Sequence, residues 1–455
     1  MRIVIIGAGS AGRQLARRLY SEKHDVILID VKAEPLQETE TILDIQIVHG
    51  SGSSPAVLKE AQIEKAELVV AVTGSDETNM LACLLAHQAG VSHTVARVTN
   101  IDFIHAGSPF SPRELGIDKI VSQKEECARE LFNVLRLPGT LEVVDVLDEH
   151  AIAVGIKVDI DSPLLLTTLK DFPRKDLIQS IRFIAQMHGS KVQIPTGDSQ
   201  FQIGDDVYLL GEANAISEFL AWAFPEQKPF ERIIIAGGGD LGFHLARNLE
   251  SIRAEIVILE PDSERAHFCA DHLDRTLVIK ANPLDPESLN EAGITEDTAF
   301  VAATDDDENN IICCLMAEKK GARFTAAQVI KTEYAPIISS LSLLDRALNP
   351  YTSMINTILR YVRGAHVEAA ASLYSLPGEL FEIRLPEGSA NQGRAIKDVD
   401  MPGGSIIAAV LRGDALHVAV GDFVLEAGDR LVLYALPDAT GRILKQLRET
   451  NDKVL

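Results

Sequence analysis

The chain repeats itself at a displacement of 230 residues, position 232 answering position 2, and no other feature limits its fold so tightly. Residues 2–19 read RIVIIGAGSAGRQLARRL, and residues 232–249 read RIIIAGGGDLGFHLARNL. Asp30 closes DVILID, and Glu260 closes EIVILE at the same displacement. One residue of slippage later, PAVLKEAQI (55–63) is answered by PESLNEAGI (286–294), and ELVVAVTGSDETN (67–79) by TAFVAATDDDENN (298–310). The trailing parts repeat more faintly. IPTGDSQFQIGDDVYLLG (194–211) resembles VAVGDFVLEAGDRLVLYA (418–435), with Gly197-Asp198 matching Gly421-Asp422 and Gly204-Asp205 matching Gly428-Asp429. So long a period excludes a solenoid, whose units run to about 50 residues. The duplicated object is a whole two-domain unit, and 455 residues exceed what one hydrophobic core holds together.

Within each unit the leading half alternates strand and helix patterns. In the first, RIVIIG, DVILID, QIVHG, ELVVAVT and TVARV are separated by amphipathic stretches, of which Ala11–Tyr20 and Glu77–Gly90 are the clearest. Such alternation specifies a parallel sheet with helices on both faces, an α/β doubly wound domain. The trailing half carries short strands, AIAVGIKV, SIRFIAQM, KVQI and DVYLLG, with turn signals such as His188-Gly189-Ser190. It reads as a small α+β domain. Boundaries are expected near Pro138-Gly139, across Phe224–Pro229 and near Gly364.

A lone GxGxxG is weak; the setting here makes it specific. Gly7, Gly9 and Gly12 follow an apolar strand and open an amphipathic helix, with Asp30 at the end of the next strand. The first glycine permits the tight turn, the second lets backbone approach a pyrophosphate, and the third lets helix pack on sheet. The phosphates then sit on the partial positive charge of the helix N-terminus. Asp30 is placed to accept hydrogen bonds from an adenosine ribose and to repel a 2′-phosphate, which favours NAD(H) or ATP/ADP over NADP(H). Gly237, Gly239, Gly242 and Glu260 reproduce the set. The copies differ at the phosphate end: Ser10 and Arg97 in the first are answered by Asp240 and Gln328, one cation lost and one anion gained. Lys280, aligned with His49, offers partial compensation. The second site is therefore expected to bind polyphosphate more weakly, or to be structural.

The run Asp305-Asp306-Asp307-Glu308 admits a metal site, but acidic residues opening a helix are better explained as caps that complement its dipole. The aligned Ser75-Asp76-Glu77 keeps only part of that charge. Twelve histidines show no HxxxH or HExxH spacing, and His150, His188, His366 and His417 are not at aligned positions, so neither zinc-hydrolase nor proton-transfer chemistry is indicated. Cys83, Cys127, Cys269, Cys313 and Cys314 lie mostly in apolar helical patterns without CxxC spacing and read as buried reduced thiols in a cytosolic protein. A formal net charge of -23 argues against nucleic acid and anionic lipid as partners. No apolar run approaches the ~20 residues of a membrane span, and Met1 leads directly into a strand, leaving no room for a signal peptide.

The succession GAGSAGRQLARRL, ILID, VTGSDETN and ARV, then a small domain ending in a Gly-Asp turn and strand, all duplicated, resembles the TrkA family. These are peripheral regulatory subunits of prokaryotic Trk potassium-uptake systems, built of tandem RCK modules (KTN plus RCK-C). The likeness covers essentially the whole chain. It implies two Rossmann-type domains at 1–124 and 230–350, crossover helices at 125–139 and 351–364, and RCK-C domains at 140–226 and 365–455. It also implies NAD(H) and ATP/ADP binding, assembly into a homo-oligomeric ring (dimer or tetramer), and a location on the cytoplasmic face of the inner membrane beside a Trk-type potassium transporter. The nucleotide-binding positions it designates are Gly7, Ala8, Gly9, Ser10, Ala11, Gly12, Asp30, Thr73, Gly74 and Arg97. In the second half they are Gly237, Gly238, Gly239, Asp240, Leu241, Gly242, Glu260, Thr304 and Asp305. Gly50-Ser51-Gly52 and Ala281-Asn282-Pro283 depart from the Gly-Asp of many relatives, and Ser162–Leu166 lacks the small-residue turn kept at Asn391-Gln392-Gly393. The expected mechanism is a nucleotide-driven switch, with ligand bridging the glycine loop and Arg97 and the segment Glu125–Leu137 carrying the change outward. The alternatives are a soluble NAD-dependent oxidoreductase, or a sensor serving another membrane protein.

Overall fold

The fold begins with β1 (Arg2–Ile6), whose last four residues are buried, as a strand covered on both faces requires. The computed structural model describes residues 1–448 except 101, 102, 104–110, 149, 167, 190, 332, 342, 365–368, 372, 374 and 375. Ser190 and His366 thus lie outside the described residues.

The first Rossmann-type domain continues with α1 (Ser10–Ser21), β2 (Asp25–Asp30), α2 (Ala33–Glu40), β3 (Gln46–His49), α3 (Pro55–Glu60), β4 (Leu68–Ala71), α4 (Asp76–Gln88), β5 (His93–Arg97) and β6 (Lys119–Val121). Crossover helix α5 (Gln123–Arg136) leads out of it. The first trailing domain comprises β7 (Thr140–Val146), β8 (Ala151–Lys157), α6 (Lys175–Ser180), β9 (Ile181–His188), β10 (Lys191–Gln193), β11 (Asp206–Gly211) and α7 (Ala213–Ala223). The second Rossmann-type domain has β12 (Arg232–Ala236), α8 (Asp240–Leu249), β13 (Glu255–Leu259), α9 (Ser263–His272), β14 (Leu277–Ile279), α10 (Pro286–Glu291), β15 (Thr298–Ala302), α11 (Asp307–Lys319), β16 (Phe324–Gln328), α12 (Tyr334–Leu341) and β17 (Arg346–Leu348). After crossover helix α13 (Pro350–Gly364) come β18 (Ala369–Ala371), β19 (Glu379–Arg384), β20 (Ser405–Arg412), β21 (Ala415–Val418), β22 (Arg430–Ala435) and α14 (Pro437–Arg448).

The two parallel sheets run β3-β2-β1-β4-β5-β6 and β14-β13-β12-β15-β16-β17, one order written twice, as the repeat demands. It is the strand order of dinucleotide-binding folds, with its switch point between the first and fourth strands. The trailing sheets are antiparallel, β10-β9-β11-β8-β7 and β21-β20-β22-β19-β18, again one topology. Strand β7, which the sequence pattern did not single out as a strand, edges the first of these, and β6 and β17 extend the parallel sheets by one strand each.

The four parts pair by kind. Residues 1–132 and 230–362 form one compact unit, and residues 133–229 and 363–455 the other. In the second unit, β7, β8, β9 and β11 share a buried cluster with β20 and β22, including Val144, Ala153, Tyr208, Ala409 and Tyr434. In the first, the pairing runs through a helix that crosses over. Met354, Ile355, Ile358, Leu359 and Val362 of α13 sit in the same core as Ile3, Leu15, Leu28, Val70 and Val95 of the first Rossmann domain. Their spacing makes one apolar stripe on the helix. Burying five such side chains is worth about 1.5–3 kcal/mol each before conformational entropy is charged. The first sheet is therefore completed by a helix encoded in the second half. Helices α5 and α13 also touch: Thr357 donates to Glu126 at 2.8 Å and Ser353 to Glu130 at 2.6 Å.

Candidate nucleotide site

The glycine loop at the end of β1 shows why its residues are what they are. A Cβ on Gly12 would lie 1.7 Å from the Gly7 carbonyl oxygen, so only glycine lets α1 pack that close to the strand. A Cβ on Gly9 would meet nothing within 4 Å: that position faces open space, as backbone prepared for a ligand should. Gly9 caps α1 without any side-chain hydrogen bond, leaving the first-turn N–H groups unclaimed by a cap. In the second half, a Cβ on Gly242 would lie 1.9 Å from the Gly237 oxygen and one on Gly239 would again meet nothing, so the scaffold is duplicated faithfully.

Gly7, Gly9, Ser10, Ala11, Asp30, Thr73, Gly74 and Arg97 line one cavity of about 480 Å³ in the first domain. This falls within the size range of ligand pockets. Ala8 and Gly12 stand behind the loop: Ala8 is buried and donates its N–H to Asp30 Oδ2 at 2.5 Å. The other Asp30 oxygen accepts from Lys32 N at 2.8 Å. A carboxylate has about four acceptor positions, so this half-buried group retains capacity toward a ligand. Gly50, Ser51 and Gly52, noted in the sequence for departing from a Gly-Asp pattern, line the same cavity.

At the far end of the cavity stands Arg97. Its Nε is buried without a hydrogen-bond partner, and among the described residues its side chain makes no ion pair. A half-buried guanidinium with an unmatched Nε, beside a glycine loop, is the arrangement an anionic ligand would satisfy.

The second site carries the same skeleton in a different electrostatic state. Glu260 reaches Gly238 N at 2.6 Å and Asp262 N at 2.8 Å, repeating the Asp30 contacts, but it is buried. Asp240, which the sequence presents as an added anion, is matched: Arg265 bonds it at 2.9 Å, donates Nε to the Gly238 carbonyl at 2.6 Å and stacks on Phe268. Gln328 is fully buried and donates to Thr304 O at 2.8 Å. It also accepts from Lys124 at 2.9 Å, and the same ammonium pairs with Asp305. That ion pair holds the Asp305 carboxyl below its ordinary range. The cation that faces this end is thus Lys124, from α5 of the first half, whereas Lys280 is exposed.

Within the acidic run one residue caps the helix, and the others are tied to partners elsewhere. Asp306 caps α11 through Asn309 N, and buried Asp307 accepts from Ile330 N and Lys331 N. Glu308 pairs with Lys331 and Tyr334. Among the described residues no group of three or more His, Cys, Asp or Glu is placed to hold a metal. All five cysteines are buried, and burial pushes the Cys83 thiol up to about 12 and Cys313 up to about 11. Such thiols do not ionise near neutrality and are poor nucleophiles.

Sequence reasoning passed over two asparagines that build both sites. Asn79, fully buried, accepts from Thr73 N and Oγ1 at 2.9 and 2.7 Å and donates to the Thr73 and Arg97 carbonyls. Asn310 does the same for Thr304 and Gln328. Thr73 and Thr304 are therefore held as loop anchors. The signal was present, since VTGSDETN and ATDDDENN both end in that asparagine. Tyr351, from α13, also lines the first cavity, and no local pattern points to it.

Residues 3–123 and 233–350 match the TrkA-N domain family, and residues 153–223 and 380–448 the TrkA-C domain family. The chain is 33% identical over 455 residues to the Trk system potassium uptake protein TrkA of Azorhizobium caulinodans, covering 98% of this chain and 99% of that one. It is 30% identical to the protein of the same name from Halomonas elongata, over 98% of both chains. Among solved structures, the GsuK channel bound to NAD superposes with a TM-score of 0.61 at 17% identity, covering 98% of this chain and 78% of that one. The GsuK RCK domain gives 0.60 at 17% identity, over 98% and 94%. At such identity these two speak for the fold alone. Duplicated family domains along most of the chain, and full-length relatives at this identity, establish that the chain belongs to the TrkA family.

Proposed function

We propose that this chain is a nucleotide-binding regulatory subunit of a membrane potassium-uptake transporter, acting by conformational change and not as an enzyme. The observation that carries the reading is the pairing, in one cavity, of a glycine loop whose Gly9 faces open space with an Arg97 whose buried Nε lacks a partner. The names of the full-length relatives supply the transport system. Among the described residues no helix is long and apolar enough to cross a membrane.

In this reading the N–H groups opening α1 and the Arg97 guanidinium hold the phosphates of NAD(H), ATP or ADP. Asp30 accepts from an adenosine ribose while keeping its bond to Ala8, and its charge disfavours a 2′-phosphate. The second site, with Gln328 satisfied by Lys124 and Arg265 laid across the Gly238 carbonyl, binds polyphosphate more weakly or is structural. Chains assemble into a ring on the cytoplasmic face of the transporter. Ligand biases the ring only by its difference in affinity between the ring's states.

The test is Asp30→Ala, with Asp30→Asn retaining an acceptor for Ala8 N. Nucleotide affinity, read by calorimetry on the full chain, should fall at least tenfold, as expected for losing charge-assisted hydrogen bonds. Nucleotide-dependent change in potassium flux through the reconstituted transporter should disappear. An unaltered nucleotide response in both variants would overturn the reading.

A further inference from the structure

The crossover helices exchange residues between the two nucleotide sites. Lys124 and Tyr351 occupy the same structural place: each is the second residue of its helix and the third after the preceding strand, β6 or β17. Lys124, from the first half, reaches Asp305 and Gln328 at the second site. Tyr351, from the second half, lines the first cavity. The first-site counterparts of Asp305 and Gln328 are Gly74 and Arg97, so the symmetry of the repeat sets Tyr351 beside them, at the end of the cavity away from Asp30. Among the described residues nothing bonds its hydroxyl. Its position is fixed from below, since Asn349 accepts from Tyr351 N at 3.0 Å and the stripe from Met354 to Val362 anchors α13 in the first core.

We propose that Tyr351 is a ligand-binding residue of the first half's site, donating its hydroxyl to the part of an adenine dinucleotide that lies beyond the pyrophosphate. Through it, the second half reads the occupancy of the first. The inference rests on the nucleotide-binding reading above and names the ligand class within it. The chemistry selects a second nucleoside over a third phosphate. A neutral aromatic ring with a polar tip suits a sugar and base, while Arg97 in the same cavity meets the charge of the pyrophosphate. Because the ring stands on α13, a ligand that engages it also restrains the helix joining the two Rossmann domains.

The experiment compares NADH and ADP on the full chain by calorimetry, in the wild type, Tyr351→Phe and Tyr351→Ala. Loss of one neutral hydrogen bond should weaken NADH about fivefold in the Phe variant, and loss of the ring tenfold or more in the Ala variant. ADP, which ends at the pyrophosphate, should stay within about twofold in both. Amide exchange across residues 350–362 should slow with NADH and not with ADP. An NADH-to-ADP affinity ratio unchanged in both variants, or equal protection by the two ligands, overturns the proposal. If the wild type binds both nucleotides in an Asp30-dependent manner and Tyr351 is indifferent, only this inference fails. Should the wild type bind neither, the functional reading fails with it.

Discussion

Replacing Arg97 with glutamine, the residue at the matching place of the second half, separates what this side chain does for a ligand from what it does for the fold. In the wild-type structure its Nε is buried and unpartnered, so the folded chain already bears the cost of a desolvated donor. Removing the guanidinium should leave the ligand-free protein about as stable, with its melting temperature changing by no more than about 2 °C. Affinity should move the other way. Hydrogen bonds to a charged group are worth about 1.5–3 kcal/mol, which converts to a loss of about tenfold to somewhat over a hundredfold. The two readings meet in one assay. At a nucleotide concentration of about 100 Kd the wild type gains about 2.7 kcal/mol from binding, and a hundredfold weaker variant gains about 0.4 kcal/mol. Melting curves with and without nucleotide would therefore nearly coincide for Arg97→Gln and stay well separated for the wild type. A melting temperature that drops several degrees without ligand would mean the arginine is structural. An unchanged ligand-induced shift would mean the cavity does not place phosphate against it. Either result refutes the assignment.

Three further outcomes follow from the same geometry. Ile358→Ala should cost about 2–5 kcal/mol and, although encoded in the second half, should speed amide exchange in β1 and β4 of the first, since Ile358 lies fully buried in that core; protection lost only in β12–β17 would contradict the crossover. Gly9→Ala should fold with nearly wild-type stability yet bind nucleotide at least tenfold more weakly, because its methyl enters open space, whereas Gly12→Ala should fail to give a folded first domain; equal stability loss in the two variants, read by thermal melts, would sink the division of labour within the loop. Lys124 holds Asp305 below the usual carboxylate range, so the tie is fully present above about pH 4 and is lost as the pH falls through the depressed value; Asp305→Asn should remove that part of the acid sensitivity in melts taken from pH 7 to pH 3, and an unchanged acid profile would speak against it.

What the sequence made readable was whatever the chain settles locally. Apolar strand, glycine turn and amphipathic helix follow one another within 20 residues, so the loop, its helix and the carboxylate at the end of the next strand were legible together. So was the capping use of Asp306, because a cap involves only its own helix. Strand β7 and the edge strands β6 and β17 were not, being short or continuous in pattern with their neighbours. The partners of the second site's polar groups were not legible for a different reason. Comparing the copies finds an anion gained at Asp240 and a cation lost at Gln328, but Arg265 stands 25 residues from Asp240, and Lys124 reaches Gln328 across 204. Charges are matched in space, and a displacement of 230 residues aligns copies without saying which copy a helix will pack on.

That last ambiguity bears directly on how the molecule works. The stripe on α13 announces a buried face, yet the chain offers two similar cores, and the helix is seated in the first. In a symmetric dimer of single modules, both sites would receive the same residue from the partner's crossover helix, and they could change only together. Fusing two copies into one chain removes that constraint. Position 124 is lysine and position 351 tyrosine, so one site holds an ammonium on its own aspartate, while in the other the Arg97 Nε and the Tyr351 hydroxyl have no partner among the described residues. Duplication supplied two equal scaffolds; exchange of the crossover helices is what allows them to be unequal while each still depends on the other.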